Sequence, residues 1–390
     1  MRVLHTADWH LGKKLGRFER YAEMGQFVNW LVEICEQRSV DLVLIAGDLF
    51  DTPSPPNRAV SLATEALQRL TGLGAQVVAI AGNHDSADYF ENLNRFSELH
   101  GVHLVGRPRG PQQGGILRVQ TRSGPAAVAC CPYLREHAVV DFFAESGERH
   151  GAYKQRLGAV MSALDRGLAD YPDCVRLLMG HLATDGAVLS LSGSGREPRG
   201  ERTLTIGNAY VVSGQQLPQV AQYTALGHIH AAQRVPAPGL ARYAGSPLAL
   251  DFGERKDRKQ VVLIDVAPDR SAAVEPIDVP PARRLRSVSG NWDELVARRE
   301  EFGGDYLSLT VTGADAPRAL LQRAAETFPR LVRAHPVAAG GQSQEPGQRI
   351  DRDWTEIYAE YVRSSVGGEP PQPLLEEFRR VYATVTNASD

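Results

Sequence analysis

Five short apolar segments of this chain end in the same way, and each is followed at once by side chains that can bind a metal. These endings occupy positions 8–10 (DWH), 47–51 (GDLFD), 82–85 (GNHD), 180–181 (GH) and 227–230 (GHIH). In open α/β sheets, ligands bind outside the carboxyl ends of the strands. Glycine permits the sharp turn and close backbone approach that most of these endings use. The repeated pattern therefore predicts a sheet whose strand ends direct five loops at one site.

Up to about residue 270, short apolar runs alternate with amphipathic stretches, which predicts an α/β architecture. Strand-like runs lie at 3–4, 41–46, 76–81, 175–179 and 223–226, and helical spacing is found at 19–37 and 58–70. Later runs at 126–131, 203–206 and 261–266 have fewer helices between them. These later runs predict a second sheet of mixed strand direction.

The segment at 276–281 (PIDVPP) is a predicted domain boundary. After it, residues 284–335 have the pattern strand, helix, strand, helix, strand of a small α+β module. Residues 337–350 are rich in Gly and Gln, which is typical of a flexible linker. Two short amphipathic helices are expected after the linker, at 351–364 and 373–384. The predicted segments are 1–278, an α+β module at 279–336, a linker at 337–350 and a helical pair at 351–390.

The composition restricts which partners and which cellular location we expect for the chain. Its 390 residues carry a net charge of −3, which argues against a nonspecific polycation but leaves nucleic acid open, because local patches set the field. Three basic clusters lie at 13–20, 255–259 and 283–286, and each alone is more typical of a solvated surface. No apolar run approaches the roughly 20 residues that span a bilayer. With four cysteines and no CxxC pair, we expect reduced thiols, no membrane partner and a cytoplasmic location.

The five loops together hold carboxylates, an Asn amide and five imidazoles. This mixture of oxygen and nitrogen donors suits Mn²⁺, Fe²⁺ or Zn²⁺ and lacks the thiolates of a structural zinc site. In DxH and HxH, alternate residues share one side of an extended segment. The ligands are too numerous for one ion. We therefore predict two metals roughly 3.5–4 Å apart that share a carboxylate, an arrangement that cleaves phosphoesters.

Each of these motifs is ambiguous when it is taken alone. A single His after a strand is more often a hydrogen-bonded structural residue, and GDxxD is a common turn. The argument rests on all five occurring in order, each at a strand end. The sequence has neither a GxSxG nucleophile elbow nor a GxxxxGK[ST] phosphate loop, so no covalent nucleophile and no Walker-type ATP site are expected.

The motifs DxH, GDxxD, GNH[DE], GH and GHxH, in this order, resemble the signature of the calcineurin-like metallophosphoesterases. Within that superfamily the chain is similar to the SbcD family, the bacterial exonuclease subunit and counterpart of the nuclease of the eukaryotic double-strand-break repair complex. The similar stretches are 8–12 (DWHLG), 47–53 (GDLFDTP), 82–86 (GNHDS), 201–207 (ERTLTIG), 223–230 (YTALGHIH) and 243–254 (YAGSPLALDFGE). The resemblance implies two mixed β-sheets sandwiched between helices, with a small α+β cap domain and a C-terminal helical pair.

The resemblance also implies roles for individual residues. One metal would be held by Asp8, His10, Asp48 and His230, and the second by Asp48, Asn83, His181 and His228. The ions would be two Mn²⁺, with Mg²⁺ or another divalent ion as the alternative. His84 would face the scissile phosphate, Asp85 would orient His84, and Asp51 would give further support. For Asp51 and Asp85, a role as simple loop-capping carboxylates is equally open.

By the same resemblance, the chain would hydrolyse DNA as a 3′–5′ exonuclease on double strands and an endonuclease on single strands. Its partners would be DNA ends, hairpins and single strands, a second copy of the chain, and an SbcC-type ABC ATPase bound through the C-terminal helices. The setting would be the bacterial cytoplasm and nucleoid, in DNA repair, recombination and replication. The apolar stripes of the two helices comprise Ile357, Tyr358, Tyr361 and Val362, then Leu374, Leu375, Phe378, Val381 and Tyr382.

Two other functions remain open from the sequence. A stand-alone phosphatase or cyclic-nucleotide phosphodiesterase could use the same fold and metals. A catalytically idle scaffold could bind DNA ends only. The cap, linker and tail argue against the first alternative, and the complete ligand set with His84 argues against the second. Where the family often has an Arg-Leu pair after GNHDS, this chain has residues 87–90 (ADYF) and then Arg95 on a predicted helix. Arg196, Arg199 and Arg202 receive no role.

Overall fold

The structure is a computed structural model that describes residues 1–134, 153–185, 187, 211–313, 317–337, 355, 358, 359, 362 and 370–387. The chain divides into two compact units, Met1–Gly341 and Gln342–Asp390, and each is described by itself. The predicted strand at 203–206, the arginines at 196, 199 and 202, and most of the predicted helix at 351–364 lie outside the described residues.

Where the structure describes them, the predicted strands and helices occur in the predicted order, and further elements that were not predicted lie between them. The strands are β1 Arg2–Thr6, β2 Lys14–Leu15, β3 Phe18–Glu19, β4 Leu42–Ala46, β5 Gln76–Ile80, β6 Val102–Val105, β7 Ile116–Thr121, β8 Gly124–Cys131, β9 Val175–His181, β10 Ala183–Thr184, β11 Val211–Val212, β12 Tyr223–Gly227, β13 Gln233–Arg234, β14 Ala241–Tyr243, β15 Gln260–Asp265, β16 Ala273–Asp278, β17 Leu285–Gly290, β18 Tyr306–Thr312 and β19 Leu331–Val337. The α-helices are α1 Tyr21–Gln37, α2 Asn57–Gly72, α3 Ala87–Ser97, α4 Tyr153–Gly167, α5 Trp292–Ala297, α6 Pro317–Thr327 and α7 Gln372–Asn387.

Two six-stranded sheets form the larger part of the first unit. The first has the order β16-β15-β1-β4-β5-β6, with β1, β4, β5 and β6 parallel and β15 antiparallel to both its neighbours. The second has the order β13-β14-β12-β9-β8-β7, with β8, β9, β12 and β14 parallel and the two edge strands antiparallel. Both sheets are therefore mixed, as the family resemblance implies.

Central strands of both sheets, such as β4 and β12, are buried along their whole length, which explains why they are apolar throughout. In β4, alternate residues share a face. Leu42 and Leu44 join a cluster that both sheets build, whereas Val43 and Ile45 join a cluster with α1 and α2. A third cluster packs α4 on the second sheet. The layers run helix, sheet, sheet, helix, and the predicted fold class is confirmed.

The ends of the first helices depend on local sequence. α1 begins at Tyr21 and not at position 19, because Glu19 pairs with Lys14 in a short β2–β3 hairpin that the apolar pattern does not reveal. α2 begins directly after Pro56, where the missing N–H of proline costs little. α3 begins after Ser86, whose side chain accepts a hydrogen bond from the Tyr89 amide at 3.2 Å.

Residues 285–337 form a separate three-stranded parallel sheet, β17-β18-β19, covered by α5 and α6. Its own core includes Leu295, Leu309, Ala324 and Phe328. The strand–helix–strand–helix–strand order predicted for this stretch is confirmed. The segment PIDVPP belongs in part to β16, an edge strand, where proline is tolerated. The domain boundary at residue 278 stays a prediction.

In the second unit, the described residues contain one long helix, α7. The rings of Tyr358 and Phe378 stack with their centroids 4.3 Å apart. Among the residues that the structure describes, no helix combines the length and apolar character that crossing a membrane requires.

Candidate metal centre

The loops that follow β1, β4, β5, β9 and β12 meet between the two sheets. The Asp8 amide donates to the Gly47 carbonyl at 3.0 Å, which joins the first two loops. The His228 amide donates to Asp8 Oδ1 at 2.9 Å and connects the second sheet to the first. His181 Nδ1 contacts the Ala46 carbonyl at 2.9 Å. Four of the predicted strand endings thus converge on one place, and the contacts of Asn83 add the fifth.

One group of donors comprises Asp8, His10 and His230, whose ligand atoms lie within 4.8 Å of one another. All three residues are buried. Asp8 Oδ2 and His10 Nε2 have no hydrogen-bond partner in the described part of the chain. Buried polar atoms without partners are costly in protein interiors. A cation between these atoms would satisfy both of them.

A second group lies beside the first and is centred on Asn83. Its side-chain oxygen is 3.0 Å from His181 Nε2 and 3.0 Å from His228 Nδ1. Asp48 lies between the two groups, because its Oδ2 is 3.5 Å from both His10 Nε2 and His181 Nε2. A single carboxylate with one oxygen directed at two sets of donors is the geometry that a shared ligand requires.

His84 lies at the edge of this cluster and is half-buried. Its amide donates to Asp48 Oδ1 at 2.9 Å, and its Nδ1 is 2.8 Å from the Asp51 backbone carbonyl. Because a carbonyl only accepts, Nδ1 carries the proton in this contact. The His84 ring is 4.7 Å from the His10 ring. His84 is therefore fixed beside both donor groups.

Of the two roles left open for Asp85 by the sequence, its contacts fit the loop-capping one. Its carboxylate accepts hydrogen bonds from the amides of Leu49, Phe50 and Gly82 at 2.9–3.1 Å, and no contact with His84 is found among the described residues. Burial and the nearby Asp48 raise the pKa of this carboxyl, and the three amides act in the opposite direction. Asp85 connects the 47–51 loop to the 82–85 loop, and His84 is oriented by the Asp51 carbonyl instead.

The backbone of the site is strained. Asp8, His10, Asp48 and His228 have φ values of 54°, 46°, 47° and 96°, in the left-handed region that non-glycine residues rarely adopt. Such conformations persist where the surrounding structure imposes them, and they cluster at functional sites. Gly82 is required for a related reason, because a Cβ there would lie 2.1 Å from Asp48 Oδ1.

Three of the imidazoles are held through Nδ1, the ring nitrogen that is not directed at the donor groups. His181 contacts the Ala46 carbonyl in this way, as described above. His10 Nδ1 contacts Asp51 Oδ1 at 3.2 Å, and Asp51 also pairs with Lys13 at 3.1 Å. His230 Nδ1 contacts Glu254 Oε1 at 2.8 Å. Carboxylates and carbonyls that hold imidazoles in this way fix the ring and raise its basicity as a ligand.

Several of these contacts were not predicted. Glu254 lies in residues 251–254 (DFGE), a stretch that is similar to the SbcD family, and no role was predicted for it. Lys259, whose Nζ pairs with Glu254 Oε2 at 2.7 Å, was assigned only to a basic cluster. The Tyr133 ring lies 6.3 Å from that of His228 and 6.2 Å from that of His181. It follows β8, and no ligand-type residue next to it marks the position.

The charged groups shift one another's pKa values. Burial lowers the pKa of His228 to about 3, and the neighbouring His181 acts in the same direction. For His181, burial is outweighed by the carboxylates of Asp48 and Asp8, which raise its pKa to about 9. For Asp48, the surrounding imidazoles outweigh burial and hold its pKa well below the ordinary value. Asp48 thus stays ionised, the state in which it binds cations.

Comparisons with known proteins agree with this geometry. The calcineurin-like phosphoesterase family matches residues 1–231. The SbcD subunit of the nuclease SbcCD from Bacillus subtilis (strain 168) is 29% identical over 387 residues, which covers 95% of each chain. The SbcD subunit from Escherichia coli (strain K12) is 33% identical over 316 residues, covering 77% of this chain and 74% of its own. The one from Rhodobacter capsulatus is 34% identical over 279 residues, covering 68% and 67%.

The matched region contains every residue of the donor cluster, from Asp8 to His230. The cluster itself offers buried carboxylate and imidazole donors for a divalent metal. The chain belongs to the calcineurin-like phosphoesterases and, within them, to the SbcD family of nuclease subunits.

Proposed function

We propose that the chain is a Mn²⁺-dependent DNA nuclease that hydrolyses phosphodiester bonds, as a 3′–5′ exonuclease on double strands and an endonuclease on single strands. The observation that carries this proposal is the position of Asp48, 3.5 Å from a nitrogen of each donor group, with His84 beside both. The relatives that the chain matches over most of its length are named nucleases. A stand-alone phosphatase or cyclic-nucleotide phosphodiesterase of the same superfamily is the alternative.

We assign the two ions to two ligand sets that share Asp48. The first set is Asp8, His10, Asp48 and His230, and the second is Asp48, Asn83, His181 and His228. When bound, two divalent ions lower the pKa of a water molecule and neutralise phosphate oxygens. The donors fit such ions, since two of them, Asp8 Oδ2 and His10 Nε2, otherwise have no hydrogen-bond partner in the described part of the chain. Carboxylate and imidazole donors without thiolates suit Mn²⁺.

His84 acts on the substrate and not on the ions. Because its Nδ1 donates to the Asp51 carbonyl, its Nε2 is the nitrogen that remains for the phosphate or the leaving oxygen. When Nε2 is protonated as well, the imidazolium in this position can stabilise the charge of the phosphate or donate the Nε2 proton to the leaving oxygen. Asp85 keeps the loop that carries His84 in place.

One experiment tests the proposed chemistry. Linear duplex DNA and a small phosphomonoester are incubated with Mn²⁺ and the wild-type chain or the His84→Ala variant. We expect the wild type to digest the DNA, and the variant to lose about 100-fold or more of this activity, since positioned proton donors contribute roughly 10²–10⁴-fold. Mn²⁺ binding should be unchanged in the variant. Cleavage of the monoester without cleavage of DNA would overturn the proposal in favour of the phosphatase.

We propose that the chain works with an SbcC-type ABC ATPase in break repair and end processing. The relatives are named as subunits of a nuclease SbcCD. Along α7, Leu374 is exposed, and Leu375 and Phe378 are only half-buried. A helix with an open apolar stripe is suited to docking on another helical surface. We assign residues 279–336 to a DNA-binding cap, 337–350 to a linker and 351–390 to this docking element, and we place the protein in the bacterial cytoplasm and nucleoid.

We further propose that two copies of the chain associate through α3. Leu93, Phe96 and Leu99 are exposed by 39%, 71% and 82% on this helix and the turn that follows it. They are three of the four most exposed large apolar side chains in the described part of the chain. Exposed apolar side chains grouped in this way mark association surfaces.

A further inference from the structure

The module of residues 285–337 contacts the phosphoesterase part through a small apolar cluster of its own. The cluster consists of Leu15, Phe252, Leu285 and Tyr306, all at most 7% exposed. Leu15 comes from the β2–β3 hairpin and Phe252 from the DFGE turn, whereas Leu285 and Tyr306 begin β17 and β18 of the module. The Arg333 guanidinium of β19 lies 4.7 Å from the centre of the Phe252 ring. Phe252 is thus the residue of the turn on which the module packs.

Two residues after Phe252, the same turn carries Glu254, whose side chain contacts the proposed metal ligand His230. Phe252–Glu254 is a single 3₁₀ turn, and the Asp251 side chain stabilises it by accepting from the Gly253 amide at 2.7 Å. Glu254 is 3% exposed, and its Oε1 is 2.8 Å from His230 Nδ1. Phe252 and Glu254 are therefore separated by one residue, with one side chain against the module and the other against His230.

Further contacts fix Glu254 rigidly. Its Oε2 accepts from Lys259 Nζ at 2.7 Å, from the Leu250 amide at 3.0 Å and from Ser246 Oγ at 3.3 Å. Lys259 Nζ also donates to the His230 carbonyl at 3.2 Å. A carboxylate with so many partners cannot move without moving the groups that it holds. Displacement of the turn would therefore be passed on to the imidazole of His230.

A second set of contacts joins the module to the same loop through α1. Tyr306 Oη donates to Glu23 Oε1 at 2.7 Å, and Arg283 Nε lies 3.4 Å from the same oxygen. One turn earlier, Arg20 donates to the Ala249 carbonyl at 2.5 Å, and its guanidinium lies 5.6 Å from the Tyr306 ring centre. Arg20 and Glu23 are both buried. The module is thus connected to the 249–254 segment at two points, directly at Phe252 and through Arg20 at Ala249.

We propose that the turn of residues 251–254 couples the seating of the module to the orientation of His230. Seating here means the packing of residues 285–337 on the phosphoesterase part. Phe252 and Glu254 are positioning residues, because they act through His230 and touch no substrate. Seating of the module strengthens metal binding at the ligand set that contains His230. By thermodynamic reciprocity, metal bound there strengthens the seating of the module. This inference rests on the proposed assignment of His230 as a ligand, but not on DNA as the substrate.

The test uses the full chain and measures Mn²⁺ binding by calorimetry, with no DNA present. Glu254→Gln should weaken one of the two Mn²⁺ sites about 10- to 100-fold, as loss of a carboxylate behind a liganding imidazole does. Leu285→Ala, on the module side, should weaken the same site about 5-fold, at the lower end of coupling between separate sites. Arg323→Ala, which removes an exposed side chain that covers the Trp292 ring elsewhere on the module, is the matched control and should leave both affinities unchanged.

Hydrogen exchange gives the second readout. Leu285→Ala should speed exchange at 251–259, and Mn²⁺ should slow exchange at 285–290 in the wild type but not in Glu254→Gln. Tyr306→Phe, which removes only the bond to Glu23, serves if Leu285→Ala does not fold. Faster exchange across 285–290 with both Mn²⁺ affinities unchanged would overturn the proposal. A chain that binds Mn²⁺ with this coupling but leaves DNA intact would contradict the proposed nuclease function and not the coupling.

Discussion

Gly82 shows how closely the backbone approaches the proposed shared ligand. A Cβ at this position would lie 2.1 Å from Asp48 Oδ1 and 2.4 Å from the Asp48 amide nitrogen, distances that real Cβ atoms do not show. The Gly82 amide also donates to Asp85. The glycine therefore allows two loops to lie against each other while Asp48 is directed at both donor groups.

We predict that Gly82→Ala displaces Asp48 and abolishes or strongly weakens Mn²⁺ binding, while the sheets stay folded. Gly25→Ala is the matched control, because a Cβ there meets nothing within 4 Å among the described residues, and Gly25 lies within α1. Alanine in a helix should leave stability unchanged or raise it by up to about 1 kcal/mol. Calorimetric Mn²⁺ titration and thermal unfolding check both variants. Normal Mn²⁺ affinity in Gly82→Ala would contradict the close approach.

His5 is a buried imidazole that the proposed chemistry does not use. It is fully buried, and its Nδ1 is 2.9 Å from the Tyr223 hydroxyl of the second sheet. Burial, opposed by a contact with Leu226 and aided by Arg242, lowers its pKa from 6.5 to about 3. As the pH falls below about 6.5, His5 therefore takes up a proton in the unfolded chain before it does so in the folded chain. Folding stability should fall by up to about 1.4 kcal/mol per pH unit from this group, until the pH nears 3.

We predict that His5→Gln makes the loss of stability between pH 6.5 and pH 4 less steep, whatever its effect at neutral pH. The measurement is denaturant unfolding of the metal-free protein across this range. Gln68→Ala on the exposed surface of α2 is the control, because it changes no titratable group, and it should leave the slope unchanged. Equal slopes for wild type and His5→Gln would show that His5 is protonated without cost in the folded state.

The sequence predicts the positions that meet at the site but only part of how they are held. Asp8, Asp48, Asn83, His181 and His228 follow strand ends, and parallel strands bring those ends together. Of the two roles left open for Asp85, the loop-capping one fits, because adjacent residues on a turn point in different directions and Asp85 is turned towards backbone amides. Glu254 could not be recognised, because its partner His230 is distant in the sequence and only the folded chain brings them together.

At the scale of elements, α3 and the turn that follows it carry most of the exposed large apolar side chains in the described part of the chain. The helix buries Phe90 and leaves Leu93 and Phe96 exposed, with Leu99 following in the next turn. These side chains lie close together in the sequence. The polar side chains beside them in the sequence, Glu91 and Asn94, accept hydrogen bonds from backbone amides of the strand and loop that follow. Association of two copies through α3 would remove the apolar side chains from water.

We predict that Phe96→Glu combined with Leu99→Glu converts a dimer into a monomer, because each charge would be buried at the contact without a partner. The mass in solution, measured by light scattering after size exclusion, checks this. Glu65→Lys, an exposed change on α2, is the control and should leave the mass unchanged. A wild-type monomer at micromolar concentration, or a double variant of dimer mass, would rule out α3 as the interface.

Elements with a clear apolar period were predicted with small errors, and the exceptions have physical causes. The β2–β3 hairpin is only two residues long on each side, too short for an alternating pattern to appear. The sheet partners of the strands also could not be predicted. β15 pairs with β1 from the other end of the chain, and no local pattern encodes that pairing.

At the scale of the whole molecule, the proposed site exists only because two sheets pack face to face. Asp8, Asp48 and Asn83 follow strands of the first sheet, whereas His181 and His228 belong to the second. The apolar cluster shared by the sheets lies beneath them. The sequence indicates that both sets of ligands exist, and the packing of the sheets determines that they form one centre.

The division of the chain into two units leads to the last prediction. Every residue of the proposed metal centre and of the 285–337 module lies in Met1–Gly341, whereas α7 lies in Gln342–Asp390. We therefore expect a chain truncated after Gly341 to keep its Mn²⁺ affinity and its Mn²⁺-dependent cleavage of simple substrates. It should lose association with the SbcC-type ATPase of the same organism, because the apolar stripe of α7 is removed.

Co-purification of the two proteins and a Mn²⁺-dependent cleavage assay measure the two properties separately. In the full chain, Leu374→Glu combined with Phe378→Glu should weaken association as the truncation does, since both side chains lie on the stripe. Glu377→Gln with Arg380→Gln is the matched control, because this exposed pair lies on the same helix and bonds within it. Association that survives the truncation would place the ATPase contact on residues 1–341, and loss of Mn²⁺ binding on truncation would show that the first unit is not self-sufficient.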